Sequence, residues 1–186
     1  MTKGYKWLLF ISSYAPLYVL LGINNYRFES NAIEFMKAEA SDSTRLAFWA
    51  TILVLFAVSF AAIGYFRWIG LNERRSFQGL KPINESVLSY MISYVVPLTA
   101  LNIDSVNSLA VNAFLFLIFG IVYVNNDLLY LNILLILFGY KVYADASGDV
   151  IITNYSKDRL TVMMNNGEPV SCRKVVKGVY LLRRSS

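Results

Sequence analysis

Few residues in this chain have types and spacing that could do chemistry, and most of those are basic. Histidine is absent. That removes the commonest general base, the commonest metal ligand and the usual pH switch together. Cys172 is the single cysteine, so no intrachain disulfide and no thiolate cluster can form. It reads as an inert thiol in a reducing compartment. No Gly-rich phosphate loop is present, and no Ser-His pair is available to build a nucleophile. The expectation is a protein that is not an enzyme and holds no cofactor and no metal. The cations remain. Arg74, Arg75 and Lys81 share one stretch with Gly79 and Pro82, and Arg173, Lys174 and Lys177 share another. Such groups can contact anionic lipid, at about 1 kcal/mol per basic residue, or dock a partner, and they can also simply fix topology.

Most of the chain between these charges is apolar. Hydrophobic residues make up 56% of the 186 residues and charged residues 16%, against about 25% charged in an ordinary soluble domain. Four stretches are apolar enough to span a bilayer: 7–23, 46–68, 86–103 and 109–124. Lys3 and Lys6 precede the first, Pro16 interrupts it, and no small-residue cleavage site follows. It therefore reads as a retained helix and not as a signal peptide. The second carries no charge until Arg67 and has Trp49 and Trp68 near its two ends, where an aromatic belt would place them. Asn84 is a candidate cap for the third, and Pro97 lies inside it. Pro16 and Pro97 each predict a kink, because proline lacks the N–H that the helix would use. Such kinks either improve packing or bend with bilayer thickness.

The stretch 128–138 is apolar all round but covers only about 16 Å as a helix, and charge decides against a fifth span. Eight of the 17 Lys and Arg lie at or beyond position 140. With four spans, fourteen basic residues fall on one side and only Arg27, Lys37 and Arg45 on the other. That is the positive-inside pattern, with both termini in the cytoplasm. The stretch 128–138 then reads as an interfacial or re-entrant helix, or as a continuation of the fourth helix.

The fold class expected is an all-α membrane bundle of four transmembrane helices and one short interfacial helix, with a small β-rich cytoplasmic C-terminal appendage. The division is 1–139 for the bundle and 140–186 for the tail. In the tail, alternation over 140–145, a turn at Ser147-Gly148-Asp149 and the run 150–153 predict a hairpin. A second pair is predicted from 160–163 and 170–176 around a turn at 165–167, with Lys177-Gly178 turning into 179–182. So small a tail makes a marginal core by itself, so it should pack on the helix ends or on another chain. The outer loop 24–44 is acidic, and Ile33, Met36 and Ala40 would share one face of a short helix there. That face would lie on the outer leaflet or touch something outside the cell, or the loop is a solvated spacer.

No carboxylate interrupts the spans, which argues against ion coupling. Ser12, Ser13, Ser59, Ser89, Ser93, Thr99 and Asn112 are uncharged polar residues within them. They serve helix packing or a conduction path. Ala57, Ala61 and Gly64 lie close to one face of the second helix and could seat a neighbour from the same or another subunit.

Two stretches resemble a known family: Phe10-Ile11-Ser12-Ser13-Tyr14-Ala15-Pro16-Leu17-Tyr18 in the first helix, and Leu137-Phe138-Gly139-Tyr140-Lys141-Val142-Tyr143 opening the tail. With the overall plan, they resemble the KwaA family, the membrane subunit of the bacterial Kiwa anti-phage defence system. The resemblance implies a homo-oligomer, a tetramer, in the bacterial inner membrane that senses envelope perturbation and works with a cytoplasmic DNA-binding effector, KwaB. It implies no catalytic residue and no direct nucleic-acid binding. Two functions follow as expectations: a membrane sensor and scaffold that recruits a soluble partner, or an oligomeric pore or membrane-disrupting effector. A passive anchor or immunity protein is a third.

Overall fold

The apolar stretches form helices standing side by side, and much of the polar remainder forms one sheet against one end of them. This architecture is seen in a computed structural model that describes residues 2–26, 31–83, 102–165 and 169–183. Helices α1 (Lys3–Ser13) and α2 (Ala15–Asn25) meet at Tyr14 with a bend of 44°. Pro16 lies in the first turn of α2, where a missing N–H costs nothing. After the short α3 (Ala32–Ser41) comes α4 (Ser43–Trp68), 26 residues long, with a stretch of 18 residues whose mean hydropathy is 2.4. Asp42 starts α4 by accepting from the backbone N–H groups of Thr44 and Arg45. Helix α5 (Val106–Asn125) has 20 residues, with a stretch of 18 at a mean hydropathy of 2.0, and is capped by Ser105.

Both long helices leave large apolar side chains exposed, among them Leu53, Val54, Phe60, Phe114 and Leu117. Such faces fit lipid and not water. Among the described residues two helices are long and apolar enough to cross a membrane, or three if the bent α1–α2 pair is one span. The expectation of four transmembrane helices is corrected accordingly. The stretch 86–103, with Pro97, lies outside the described residues except for Asn102 and Ile103, as does the cap at Asn84.

The stretch after α5 does not continue it. Asp127 adopts a left-handed conformation, φ 55°, which ends the helix. A single 3-10 turn (Leu129–Leu131) and the five-residue α6 (Ile133–Leu137) follow. Asn132 is fully buried there and donates to Leu9 O at 2.9 Å and Ser12 Oγ at 2.6 Å, so this segment is fastened beneath α1. Ile136, Leu137 and Phe138 emerge at the surface.

The sheet corrects the second half of the expected fold class. It has six strands, which makes it far more than a small tail appendage. The hairpin of β3 (Lys141–Ala144) and β4 (Val150–Thr153) and that of β5 (Val170–Val176) and β6 (Val179–Leu182) come from the tail. The two edge strands, β1 (Glu73–Arg75) and β2 (Lys81–Pro82), come from the loop after α4. The order is β1-β5-β6-β4-β3-β2, antiparallel except for the parallel pair β4–β6. A parallel pair needs a crossover, which here includes α7 (Lys157–Asn165). The strand expected at 160–163 is therefore a helix. Leu160 is its buried anchor, whereas Val162 is 58% exposed. Its β-branched residues were outweighed by the connection the sheet requires. Of the turn expected at 165–167, residues 166 and 167 lie outside the described residues.

Both faces of the sheet are covered, giving three layers. Tyr140, Ile152, Val175, Val179 and Leu181 join the helical core of Leu9, Phe10, Phe66 and Tyr123. On the far face Tyr143, Ile151, Val170, Cys172, Tyr180 and Leu182 pack with Phe77 and Leu160 of α7.

Candidate functional site

The site worth attention is the foot of α4, where the longest helix runs into the sheet. A helix leaves its last carbonyls without intrahelical partners and carries partial negative charge at that end. Here arginines bind the carbonyl of the C-cap and the one just past it. Arg173 Nη1 of β5 donates to Gly70 O at 2.8 Å, and Arg183 Nη2, just past β6, donates to Ile69 O at 3.3 Å. The chain then runs through 71 and 72 directly into β1, which pairs with β5. The foot is thus joined to the sheet by the chain itself and by two guanidinium groups.

Strand alternation assigns the remaining side chains. Arg74 pairs with Ser171 and Arg173 with Leu181, so Arg74 and Arg173 share the helix side of the sheet with Leu181. Glu73 and Arg75 face the other way. Arg75 pairs with Asp149 at 2.7 Å and lies over the rings of Tyr180 (4.6 Å) and Phe77 (5.5 Å). Burial works against its charge, but Tyr180, Asp149 and Asp145 outweigh that and hold its pKa above the ordinary value. On the same face, burial and then Glu73 push the Cys172 thiol up against the opposing pull of Arg75, which keeps it protonated and unreactive.

The six basic residues singled out from sequence therefore do not form one patch. Arg74 and Arg173 come together with Arg183. Arg75 is used internally. Lys81 pairs opposite Ala144 at the far edge of the sheet, and the exposed Lys174 and Lys177 lie at the bulge and turn between β5 and β6.

The opposite end of α4 carries a second network. Glu39 of α3 is buried, and Arg45 spans from Glu39 Oε1 (3.0 Å) to Asp104 Oδ1 (2.8 Å). Trp49 Nε1 donates to Glu39 Oε2 at 3.1 Å. Phe35 packs on Trp49 and Tyr26. Helix α3 therefore packs through Phe35 and Glu39. The expected face of Ile33, Met36 and Ala40 points away, with Ile33 and Met36 each 69% exposed. Lys6 and Asp127 form an ion pair near the sheet end of the bundle.

The serines of the spans are satisfied locally, whereas the side-chain oxygen of Asn112 is buried without a hydrogen-bond partner among the described residues. Ser12, Ser13 and Ser59 are buried and donate to Leu9 O, Phe10 O and Leu55 O, and Asn112 donates to Ser108 O. Ser89, Ser93 and Thr99 lie outside the described residues. Ala57, Ala61 and Gly64 are exposed; α4 meets its neighbours in the chain through Ile52, Ser59, Ala62, Ile63 and Phe66. A groove of about 700 Å³ opens between α2, α4 and α5, lined by Leu17, Leu21, Phe48, Ile52, Leu109 and Phe116 among others.

A family profile described as "Anti-phage protein KwaA" matches residues 5–181, from α1 to β6. The chain belongs to the KwaA anti-phage family. Neither the curated proteins nor the solved structures gave a match. For a KwaA protein the role is anti-phage defence, and its apolar helices are consistent with membrane association. The matched range takes in both ends of α4 and the described strands as far as Leu181 in β6. Sequence reasoning missed the Arg45–Glu39–Asp104 network and the part played by Asp149. The first had a signal, a lone arginine opening an apolar span beside an acidic loop. The second had none, because only strand pairing brings positions 75 and 149 together.

Proposed function

We propose that this KwaA protein is a multi-pass inner-membrane sensor and scaffold, not an enzyme. In this reading α4 carries a disturbance of the envelope to the sheet, and the sheet engages a cytoplasmic effector such as KwaB. The observation that supports it is that α4 is fastened at both ends. Arg45 ties its start to Glu39 and Asp104, and Arg173 and Arg183 hold the carbonyls at its foot. A helix of 26 residues spans about 39 Å, so one stiff element connects the two networks. A shift or tilt of α4 would move β1 with it, because only 69–72 separate them.

The pore reading is less well supported. Ser12, Ser13 and Ser59 are buried and bonded to their own helix, so they offer no wetted lining.

The test is to insert two glycines between Gly70 and Leu71. The insertion slackens the chain link to β1, and R173Q/R183Q are added to it to release the two guanidinium ties between helix and sheet. Protection of cells against phage should fall to the level of cells lacking the protein, while membrane expression and co-purification of the soluble effector persist. Full protection by the combined variant would sink the transmission role. Absence of any co-purifying soluble partner from the unaltered chain would sink the scaffold role.

A further inference from the structure

We infer that the foot of α4 is a binding site for the phosphate of an anionic phospholipid head group, formed by Arg74, Arg173 and Arg183. The inference rests on the membrane reading above and goes beyond it by naming a ligand and its residues. Three observations carry it. First, the three arginines converge. Ile69 O and Gly70 O are consecutive carbonyls, so the guanidinium groups of Arg183 and Arg173 that bond them are close neighbours. Arg74 lies on the same side of the sheet, one strand over, two positions along the register from Arg173. Second, no ion pair among the described residues compensates them. The ion pairs among the described residues use Lys6, Arg45 and Arg75, and the nearest acidic residue of β1, Glu73, faces the other side. Neighbouring like charges held by carbonyl dipoles alone repel, and an anion between them removes that cost.

Third, the site has unused donors. Arg183 Nη1 is buried without a hydrogen-bond partner among the described residues, a state that normally costs free energy unless a ligand fills it. The Arg74 side chain is exposed and makes no hydrogen bond or ion pair among the described residues. The fork of a guanidinium matches phosphate oxygens in pairs. The location selects lipid over a soluble phosphate. These groups sit at the end of an apolar helix whose last residue, Trp68, is 86% exposed and preceded by the exposed Arg67. That is where a head group lies when its chains run along the exposed flank of α4.

The experiment uses the full chain purified in detergent and equilibrated with phosphatidylglycerol or phosphatidylcholine in mixed micelles, with bound lipid read by native mass spectrometry. Phosphatidylglycerol should be retained over phosphatidylcholine. R74Q should weaken it about fivefold, and the double variant R173Q/R183Q at least about tenfold, in line with the usual contribution per basic residue at a membrane surface. The control is K157Q/R159Q, which removes the same charge from α7 on the far face and should leave retention unchanged. Equal loss in the control would overturn the site in favour of diffuse attraction. Equal retention of the two lipids would also overturn it. Displacement of phosphatidylglycerol by excess inorganic phosphate would show a free-anion site instead of a lipid site. Should R173Q/R183Q fail to fold, R74Q decides, because its side chain holds nothing in the structure together. A chain that stays soluble without detergent would refute the membrane reading itself, whereas a detergent-requiring chain that shows no lipid preference refutes only this site.

Discussion

At the scale of single residues, two positions show how tightly the bundle is specified. Glu39 is a buried carboxylate held by Arg45 and Trp49. Arg45→Ala would leave that charge without its ionic partner, at a cost of about 1–3 kcal/mol. Glu39→Gln keeps an acceptor for Trp49 and removes the need for the cation. Thermal unfolding in detergent should therefore show Arg45→Ala as clearly the more destabilised of the two, and the reverse order would mean that Arg45 serves only Asp104. Gly120 of α5 lies beneath the rings of Trp7 and Phe10, and a β-carbon there would overlap both. Those rings sit in a cluster with Tyr14, Phe116 and Tyr123 that has no slack. Gly120→Ala should lower stability by about 1–3 kcal/mol even though alanine is the better helix former. A stabilised variant would show that α1 and α5 are not packed as described.

At the scale of elements, the edge strand β1 is short and depends on side chains for its place. Arg75 contributes through Asp149 and through the faces of Tyr180 and Phe77. A cation over an aromatic face is worth about 0.5–1 kcal/mol where exposed and more where desolvated. In Arg75→Ala, hydrogen exchange at 73–75 and at the opposed 170–172 should speed up while α4 and α5 keep their protection. Faster exchange throughout the helices would instead mean that the sheet supports the whole bundle. The contrast between α3 and α7 belongs to this scale too. Both have exposed apolar residues, Ile33 and Met36 in one and Val162 in the other, and both have a buried apolar anchor, Phe35 or Leu160.

At the scale of the whole molecule, the two networks of α4 define two ends. Lys6 with Asp127, the foot of α4 and the sheet lie at one; Glu39, Arg45 and Asp104 lie at the other. Cys172 is buried, with its thiol pushed up by burial, so it gives a silent background for cysteine mapping at neutral pH. In intact cells Lys37→Cys should react with an impermeant maleimide, and Lys157→Cys should react only after the membrane is opened. Labelling of both in intact cells would overturn the placement of the sheet in the cytoplasm.

What the amino-acid sequence determined by itself was the solvent. Long apolar runs, scarce charge and lopsided basic residues are properties of composition and order, and they point to lipid without any need for tertiary contacts. The strands at 141–144, 150–153, 170–176 and 179–182 were legible for the same reason, since alternation and turn residues are local. The tertiary structure decided the rest. Glu73–Arg75 and Lys81–Pro82 carry no strand pattern and become strands only because β5 and β3 offer open edges. Residues 160–163 carry a strand composition and become helix because a parallel pair must be bridged. The arginine foot of α4 joins positions 69, 70, 74, 173 and 183. No spacing along the chain encodes that meeting, because it is made by strand pairing between segments about a hundred residues apart.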